Sequence, residues 1–190
     1  KLLHSIAPMI PVITALMTVA VLPFGDGLYV TDINAGVLYL LAIASLGVYG
    51  VTLAGWSSNS KYSLLGGLRA AAQMISYELP MGMAVASVVL MTGSLSLIDI
   101  ATEQSMWWNV FLNPLGAIIF IIAAFAEANR TPFDLVEAEQ ELVGGFHTEY
   151  SSMKFGMFFL AEYMHVVIGS ILMVTFFFGS YHLPFADAYL

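Results

Sequence analysis

The run VLYLLAIASLGVYGVTLAGW, Val37–Trp56, is twenty residues long and holds no charged side chain. A helix needs about 20 apolar residues to cross a bilayer. Because hydrocarbon offers no hydrogen bonds, the backbone polar groups of such a run must be satisfied within it, as they are in a helix. The run therefore predicts a membrane-spanning helix.

Four more predominantly apolar runs of similar length flank it, at about Ile6–Leu22, Ala70–Met91, Val110–Ala126 and Phe155–Phe178. Pro8, Pro11 and Pro80 lie inside helical runs, which a lipid-embedded bundle tolerates. No internal repeat or linker divides the chain. The predicted fold class is all-α integral membrane, with residues 1–190 as a single transmembrane domain of about five helices and an acidic cytoplasmic-side loop at 127–154.

The composition indicates that the chain is surrounded by lipid rather than by water. Hydrophobic residues make up 59% of the chain and charged residues 9%, and the mean hydropathy is +0.87. A soluble domain carries about 25% charged residues. The absence of cysteine excludes a thiolate zinc site and a cysteine-held iron–sulfur cluster within this chain. The net charge of −8 argues against a nucleic-acid partner.

The basic residues predict the orientation. With five crossings they all fall on one side of the membrane, so the positive-inside rule makes the N-terminus cytoplasmic; they are Lys1, Lys61, Arg69, Arg130 and Lys154. Trp107 and Trp108, on the opposite side, suit an interfacial aromatic belt. No small-residue cleavage pattern follows the first run, so we expect no signal peptide, and a start at Lys1 indicates a piece of a longer chain.

Three carboxylates, Glu78, Glu127 and Glu162, lie within or at the edge of predicted spans. An ionisable group at the bilayer centre costs about 2.5–3.5 kcal/mol on insertion scales, so these residues should face the bundle interior or a wet cavity. Burial favours the neutral carboxyl, and proton exchange is then the favoured function. The alternative is a neutral glutamate that hydrogen-bonds between helices.

His165 follows Glu162 by three residues, a Glu-x-x-His spacing that di-iron bundles use twice. Here the pair occurs once, so we expect a hydrogen-bonded interior histidine rather than a metal ligand.

The segment from Glu127 to Lys154 contains six acidic residues that alternate with apolar ones. A solvated acidic surface would be less apolar. We therefore expect a partly buried loop with a short helix, whose acids face a cavity or a partner protein.

Four runs carry a resemblance to a known family: Gly55–Tyr62 (GWSSNSKY), Leu68–Ala70 with Gln73–Glu78 (LRA and QMISYE), Ala126–Leu135 (AEANRTPFDL) and Phe159–Tyr163 (FLAEY). The chain resembles the quinone-chamber membrane subunit of proton-pumping NADH–quinone oxidoreductase, respiratory complex I, which is the H-type subunit in bacteria and subunit 1 in mitochondria. That family has about eight spans, so this chain resembles its central part. The acidic segment reads EAEQEL where the family usually reads EGESEL, and His147 stands where many members have asparagine.

The resemblance implies a non-redox subunit of a proton-translocating enzyme, with a quinone (ubiquinone or menaquinone) as the substrate. Flavin and iron–sulfur clusters would belong to neighbouring peripheral-arm subunits, and further partners would be small membrane subunits and antiporter-like subunits. The resemblance assigns six residues to the quinone chamber: Arg69, Arg130, Asp134, Glu137, Glu139 and Glu141. It assigns three residues to a proton pathway: Glu78, Glu127 and Glu162. A bacterial plasma membrane is expected, over a mitochondrial or thylakoid one.

Three alternatives remain. The homologous membrane subunit of a membrane-bound hydrogenase, or of another complex I-like ion pump, shares the fold, and a nickel-binding neighbour would identify the hydrogenase. An autonomous transporter commonly shows inverted repeats, which this sequence lacks. A pure scaffold leaves the three intramembrane acids unexplained.

Overall fold

The computed structural model describes residues 1–128, Phe133 and 152–184. These residues form eight helices: α1 (Leu2–Ile6), α2 (Met9–Val19), α3 (Gly36–Ser57), α4 (Lys61–Thr92), α5 (Leu97–Glu103), α6 (Asn109–Leu112), α7 (Pro114–Glu127) and α8 (Ser152–Phe177). The predicted all-helical class is confirmed for this part of the chain.

Four segments in the described residues are long and apolar enough to cross a membrane: Leu2–Val19, Gly36–Ser57, Lys61–Thr92 and Met153–Phe177. The first of them combines α1 and α2. At 1.5 Å per residue the 32 residues of α4 extend about 48 Å, more than the hydrocarbon thickness of about 30 Å. The orientation and the total of five spans remain predictions.

The fourth predicted span, Val110–Ala126, is divided between two helices. Asn113 has non-helical backbone angles, and its Oδ1 accepts a 3.0 Å hydrogen bond from the Gly116 amide. Pro114 takes the first helical position, where its missing N–H costs nothing. Asn113 therefore caps α7, which is 14 residues long.

Five helices close into a ring. Helix α4 packs between α3 and α7, α2 packs between α3 and α8, and α7 contacts α8. The α3–α4 hairpin is tight because glycines meet at its crossing: a Cβ on Gly55 would lie 2.6 Å from the Ser63 carbonyl oxygen and 2.9 Å from the Gly67 Cα. The largest apolar core cluster includes Val88, Phe120 and Phe177, from α4, α7 and α8.

The segment that joins α4 to α7 is tied to the end of α8 by the buried side chain of Gln104. Its Nε2 donates to the carbonyls of Ile100 (3.1 Å) and Thr175 (2.7 Å). Its Oε1 accepts from the backbone amides of Asn109 (3.2 Å) and Gly179 (3.1 Å). The amide thus joins three stretches of chain at one end of the bundle.

The two adjacent tryptophans in this segment have different surroundings. Trp107 is exposed, whereas Trp108 is half-buried and its Nε1 donates to the His182 carbonyl at 3.1 Å. The Trp108 ring also packs against Phe111 and Phe178. Trp108 therefore contributes to the docking of this segment on α8.

Candidate functional site

Glu78 is half-buried in the middle of α4, and its carboxylate faces α3. The hydroxyl of Ser45 on α3 donates a hydrogen bond to Glu78 Oε1. The same hydroxyl lies 2.9 Å from the Leu41 carbonyl oxygen, one turn earlier in α3. Ser45 is thus the only residue in the described part of the chain that hydrogen-bonds to the Glu78 side chain.

Glu127, the last residue of α7, interacts electrostatically with Glu78. The residue is half-buried, and its carboxyl group lies deep among apolar side chains. Within the described residues no group hydrogen-bonds to this carboxyl. The fold therefore brings together two of the three acids predicted for a proton pathway, although they lie on different helices.

Glu127 opens onto a cavity of about 70 Å³ inside the helix ring. A water molecule needs about 10–15 Å³ of such space and a few polar partners, so the cavity can hold several waters. Four of its lining residues have polar side chains: Thr14, Thr18, Glu127 and His165. The apolar part of the lining includes Leu40, Val85, Phe120, Ala124, Ile168 and Phe176.

The two threonines come from α2 and present acceptor oxygens. Thr14 Oγ1 donates to the Pro11 carbonyl at 3.0 Å, and Thr18 Oγ1 donates to the Thr14 carbonyl at 2.9 Å. Since each hydroxyl proton is already committed, the oxygen lone pairs remain to accept from water.

His165 lies on α8, three residues after Glu162, and lines the same cavity. Its Nδ1 is 2.7 Å from the Ala161 carbonyl oxygen. A carbonyl can only accept, so Nδ1 carries the hydrogen, and Nε2 is the acceptor nitrogen of the neutral ring. The prediction of a hydrogen-bonded interior histidine is confirmed. His165 also lines a second, more open cavity of about 120 Å³ between α7 and α8.

Glu162 is half-buried on α8 and is not part of the cavity lining. Arg69 is exposed on α4, nine residues before Glu78. Among the described residues no three His, Cys, Asp or Glu side chains lie close enough together to hold a metal ion.

Gln73 joins α4 to the far end of α7. Its Nε2 donates to the carbonyls of Ala126 (2.7 Å) and Phe133 (2.8 Å). One turn later the Tyr77 ring packs edge-on against Phe133, with 5.2 Å between ring centroids. Two of the sequence runs that carry the family resemblance therefore contact each other.

The remaining predicted chamber residues lie outside the described residues; they are Arg130, Asp134, Glu137, Glu139 and Glu141. His147 and most of the acidic segment also lie there. The predicted roles of these residues stay predictions.

Ser45 and the two cavity threonines were not predicted from the sequence. A serine or threonine inside an apolar helix usually bonds to the carbonyl one turn earlier, and nothing local distinguishes one that also faces a carboxylate. The resemblance marked Gln73, but its partners lie on other elements.

Comparison with known proteins gives a consistent family. A family model described as NADH dehydrogenase matches residues 1–190. The chain is 60% identical, over 189 residues, to the H-type NADH-quinone oxidoreductase subunit of Salinibacter ruber, covering 97% of this chain and 55% of that protein. It is 59% identical over 190 residues to NADH-quinone oxidoreductase subunit 8 of Rhodothermus marinus, with 97% and 56% covered. The chain spans about half the length of the curated relatives it matches.

Proposed function

The chain belongs to the NADH dehydrogenase family, and we propose on that basis that it acts as a membrane subunit of a proton-translocating NADH–quinone oxidoreductase. In this proposal the subunit itself carries no electrons. It forms part of the quinone chamber at the junction with the peripheral arm, and its buried carboxylates pass redox-driven protonation changes to pumping subunits.

The observation that carries the proposal is the Glu78–Glu127 pair, of which Glu127 lines the cavity inside the helix ring. Glu78 accepts a hydrogen bond from the Ser45 hydroxyl, and Glu127 faces a space large enough for water. The two acids interact electrostatically. In a medium of low polarity two neighbouring carboxylates repel each other, so a proton gained by one makes the charged form of the other more favourable. A coupled pair of this kind can pass a protonation change along the bundle.

The size of the driving effect supports a relay of several acids. A unit charge created about 10 Å from a carboxylate interacts with it by roughly 1.7 kcal/mol at an effective dielectric constant of about 20. One such event is too small to drive a distant pump directly. It is large enough to change the protonation of a carboxyl group that is already close to half-protonated. A chain of such carboxyl groups carries the change over a longer distance.

The link from the chamber to the acids runs through α4. Gln73 and Tyr77 contact Phe133, at the start of the acidic segment, and Glu78 directly follows Tyr77. A change at the chamber has a short covalent and hydrogen-bonded path to Glu78. On this proposal Arg69, Arg130, Asp134, Glu137, Glu139 and Glu141 line or flank the quinone, and Glu162 continues the proton pathway.

The same proposal specifies the quinone, the neighbouring subunits and the membrane. The quinone is ubiquinone or menaquinone, drawn from the bilayer. The flavin and iron–sulfur clusters are held by peripheral-arm subunits, and antiporter-like and small membrane subunits are the other neighbours. The matched relatives named above are bacterial, which supports a bacterial plasma membrane. By the positive-inside rule the acidic segment lies on the cytoplasmic side of that membrane.

The test replaces Glu78 or Glu127 by Gln at the corresponding positions of the complete subunit within the assembled enzyme. We expect both variants to lower quinone-dependent NADH oxidation and proton translocation together. NADH oxidation by a water-soluble artificial acceptor should be retained, because that reaction uses only the peripheral arm. Glu103→Gln, an exposed acid on α5, is the matched control. Normal rates and normal proton-to-electron ratios in both variants would refute the proposal.

A further inference from the structure

We propose that Ser45 is a positioning residue for proton exchange at Glu78, because its hydroxyl satisfies that carboxyl in both the charged and the neutral form. This role rests on the proposed function and adds a further residue that the function requires.

The number of hydrogens at Ser45 fixes the direction of its hydrogen bonds. A serine hydroxyl has one proton to donate and two lone pairs that accept. Ser45 Oγ has two neighbours, Glu78 Oε1 and the Leu41 carbonyl oxygen at 2.9 Å. The carbonyl can only accept, and an ionised carboxylate can only accept as well. With Glu78 ionised, the hydroxyl proton must therefore point to Glu78, in a charge-assisted hydrogen bond.

Protonation of Glu78 reverses this arrangement without moving a heavy atom. The carboxyl O–H then donates to Ser45 Oγ, and the Ser45 proton turns to the Leu41 carbonyl. Both hydrogen bonds are complete in this state, so the Glu78–Ser45 contact is kept while the direction of donation changes. Rotation of one hydroxyl accompanies each gain or loss of a proton at Glu78.

Among the described residues Ser45 is the only hydrogen-bond donor to Glu78. Glu127, on α7, interacts electrostatically with Glu78, and two negative charges there would repel each other. Without the hydroxyl, the partly buried carboxylate of Glu78 would keep this interaction with a second acid and would have no donor within the described residues. Loss of Ser45 should therefore penalise the ionised state of Glu78 selectively and slow each cycle of proton uptake and release.

The chain provides a matched control on the same helix. Thr52 Oγ1 donates to the Val48 carbonyl at 3.0 Å, the same one-turn contact that Ser45 makes with Leu41. In the described structure no carboxylate is bonded to Thr52. Thr52→Ala thus removes a helix-internal hydroxyl contact without touching an acid.

The experiment uses the assembled complex in sealed vesicles. Ser45→Ala should lower quinone reduction coupled to proton translocation on the order of tenfold, as expected for a lost hydrogen bond to a charged group. Thr52→Ala should stay within about twofold of the unaltered enzyme, since exposed or helix-internal contacts contribute little. Assembly is checked by NADH oxidation with an artificial acceptor. If Ser45→Ala does not assemble, Ser45→Cys, which keeps the size but donates weakly, provides the same comparison.

Two readouts separate positioning from a structural role. In a Glu78→Gln background Ser45→Ala should add no further loss, because the residue acts through the carboxyl. In redox-induced infrared difference spectra the carboxyl C=O band that Glu78→Gln removes should shift to higher frequency in Ser45→Ala.

Different results would overturn the role of Ser45 and the proposed function. Normal activity of Ser45→Ala beside an impaired Glu78→Gln would overturn the role of Ser45 and leave the proposed function intact. Additive losses in the double variant would also overturn that role. Normal activity of both Glu78→Gln and Glu127→Gln would instead overturn the proposed function.

Discussion

Gln73 and Phe133 lie 60 positions apart in the chain, and the Gln73 amide donates a 2.8 Å hydrogen bond to the Phe133 carbonyl oxygen. The same nitrogen donates to Ala126 at the end of α7. One side chain on α4 thus fixes both the end of α7 and a point in the segment that follows it. Glu78 lies five residues further along α4, so the Gln73 amide links the Phe133 region to the part of α4 that carries Glu78.

Replacement of Gln73 by Leu should uncouple the Phe133 region from the part of α4 that carries Glu78. Two hydrogen bonds are lost, each contributing about 1 kcal/mol net, and two carbonyls lose a donor. We expect a rise in the quinone KM and a fall in the coupled rate, measured in the assembled enzyme. Tyr77→Phe keeps the ring contact with Phe133 and is the control. Equal behaviour of the two variants would show that the Gln73 amide has no coupling role.

Filling the central cavity should interrupt water-mediated proton exchange at Glu127. Ala124 lines both this cavity and the more open cavity between α7 and α8, and a leucine there would occupy space needed for water. Ala124→Leu should reduce proton translocation per electron, measured with a pH-sensitive dye in vesicles. Ala86→Leu, on the exposed face of α4, tests the effect of added bulk. A normal proton-to-electron ratio in Ala124→Leu would argue against a water-filled cavity.

Gln104 should be a stability determinant without a role in the reaction. Gln104→Leu leaves the Asn109 and Gly179 amides and the Thr175 carbonyl without their partner, at about 1–3 kcal/mol for each buried group. The half-inactivation temperature of the complex should fall by several degrees. Turnover per intact complex should not change. A loss of turnover at unchanged thermal stability would contradict this assignment.

Two glycines should respond in opposite ways to alanine. Gly179 has φ +75°, and a Cβ there would collide with the indole nitrogen of Trp108. Gly179→Ala should therefore destabilise the complex strongly. Gly82 lies inside α4, and a methyl group on its Cα would have no neighbouring atom within 4 Å, so Gly82→Ala should be neutral or stabilise by up to about 1 kcal/mol. The half-inactivation temperatures of the two variants provide the comparison.

Ser63 should tolerate loss of its hydroxyl. The residue is fully buried at the α3–α4 crossing, and its Oγ has no hydrogen-bond partner in the described residues. An unpaired buried hydroxyl costs about 1–3 kcal/mol, so Ser63→Ala should be neutral or stabilising. Thr18→Val, which removes a buried and satisfied hydroxyl, should lower the half-inactivation temperature instead. A marked loss of stability in Ser63→Ala would indicate an ordered water at this site.

Local stretches of the sequence were enough to predict the lipid surroundings of this protein, its helical class and its family. A long apolar run in lipid can satisfy its backbone hydrogen bonds by itself only as a helix, and that rule operates within each segment. The runs that carry the family resemblance are also short stretches of sequence, which can be recognised without knowledge of the fold. Even the division of the fourth predicted span has a local signal, since Asn113-Pro114 is a helix-start pattern inside an apolar run.

The pairs of side chains that face each other became known only from the packing of the helices. The Ser45–Glu78 contact, the approach of Glu127 to Glu78 and the cavity shared with His165 all depend on how each helix is rotated about its axis. In a soluble protein an apolar stripe fixes that rotation, because one face must leave water. In a membrane the outward faces are apolar as well, so the rotation is set by close packing between neighbours, such as the glycines at the α3–α4 crossing.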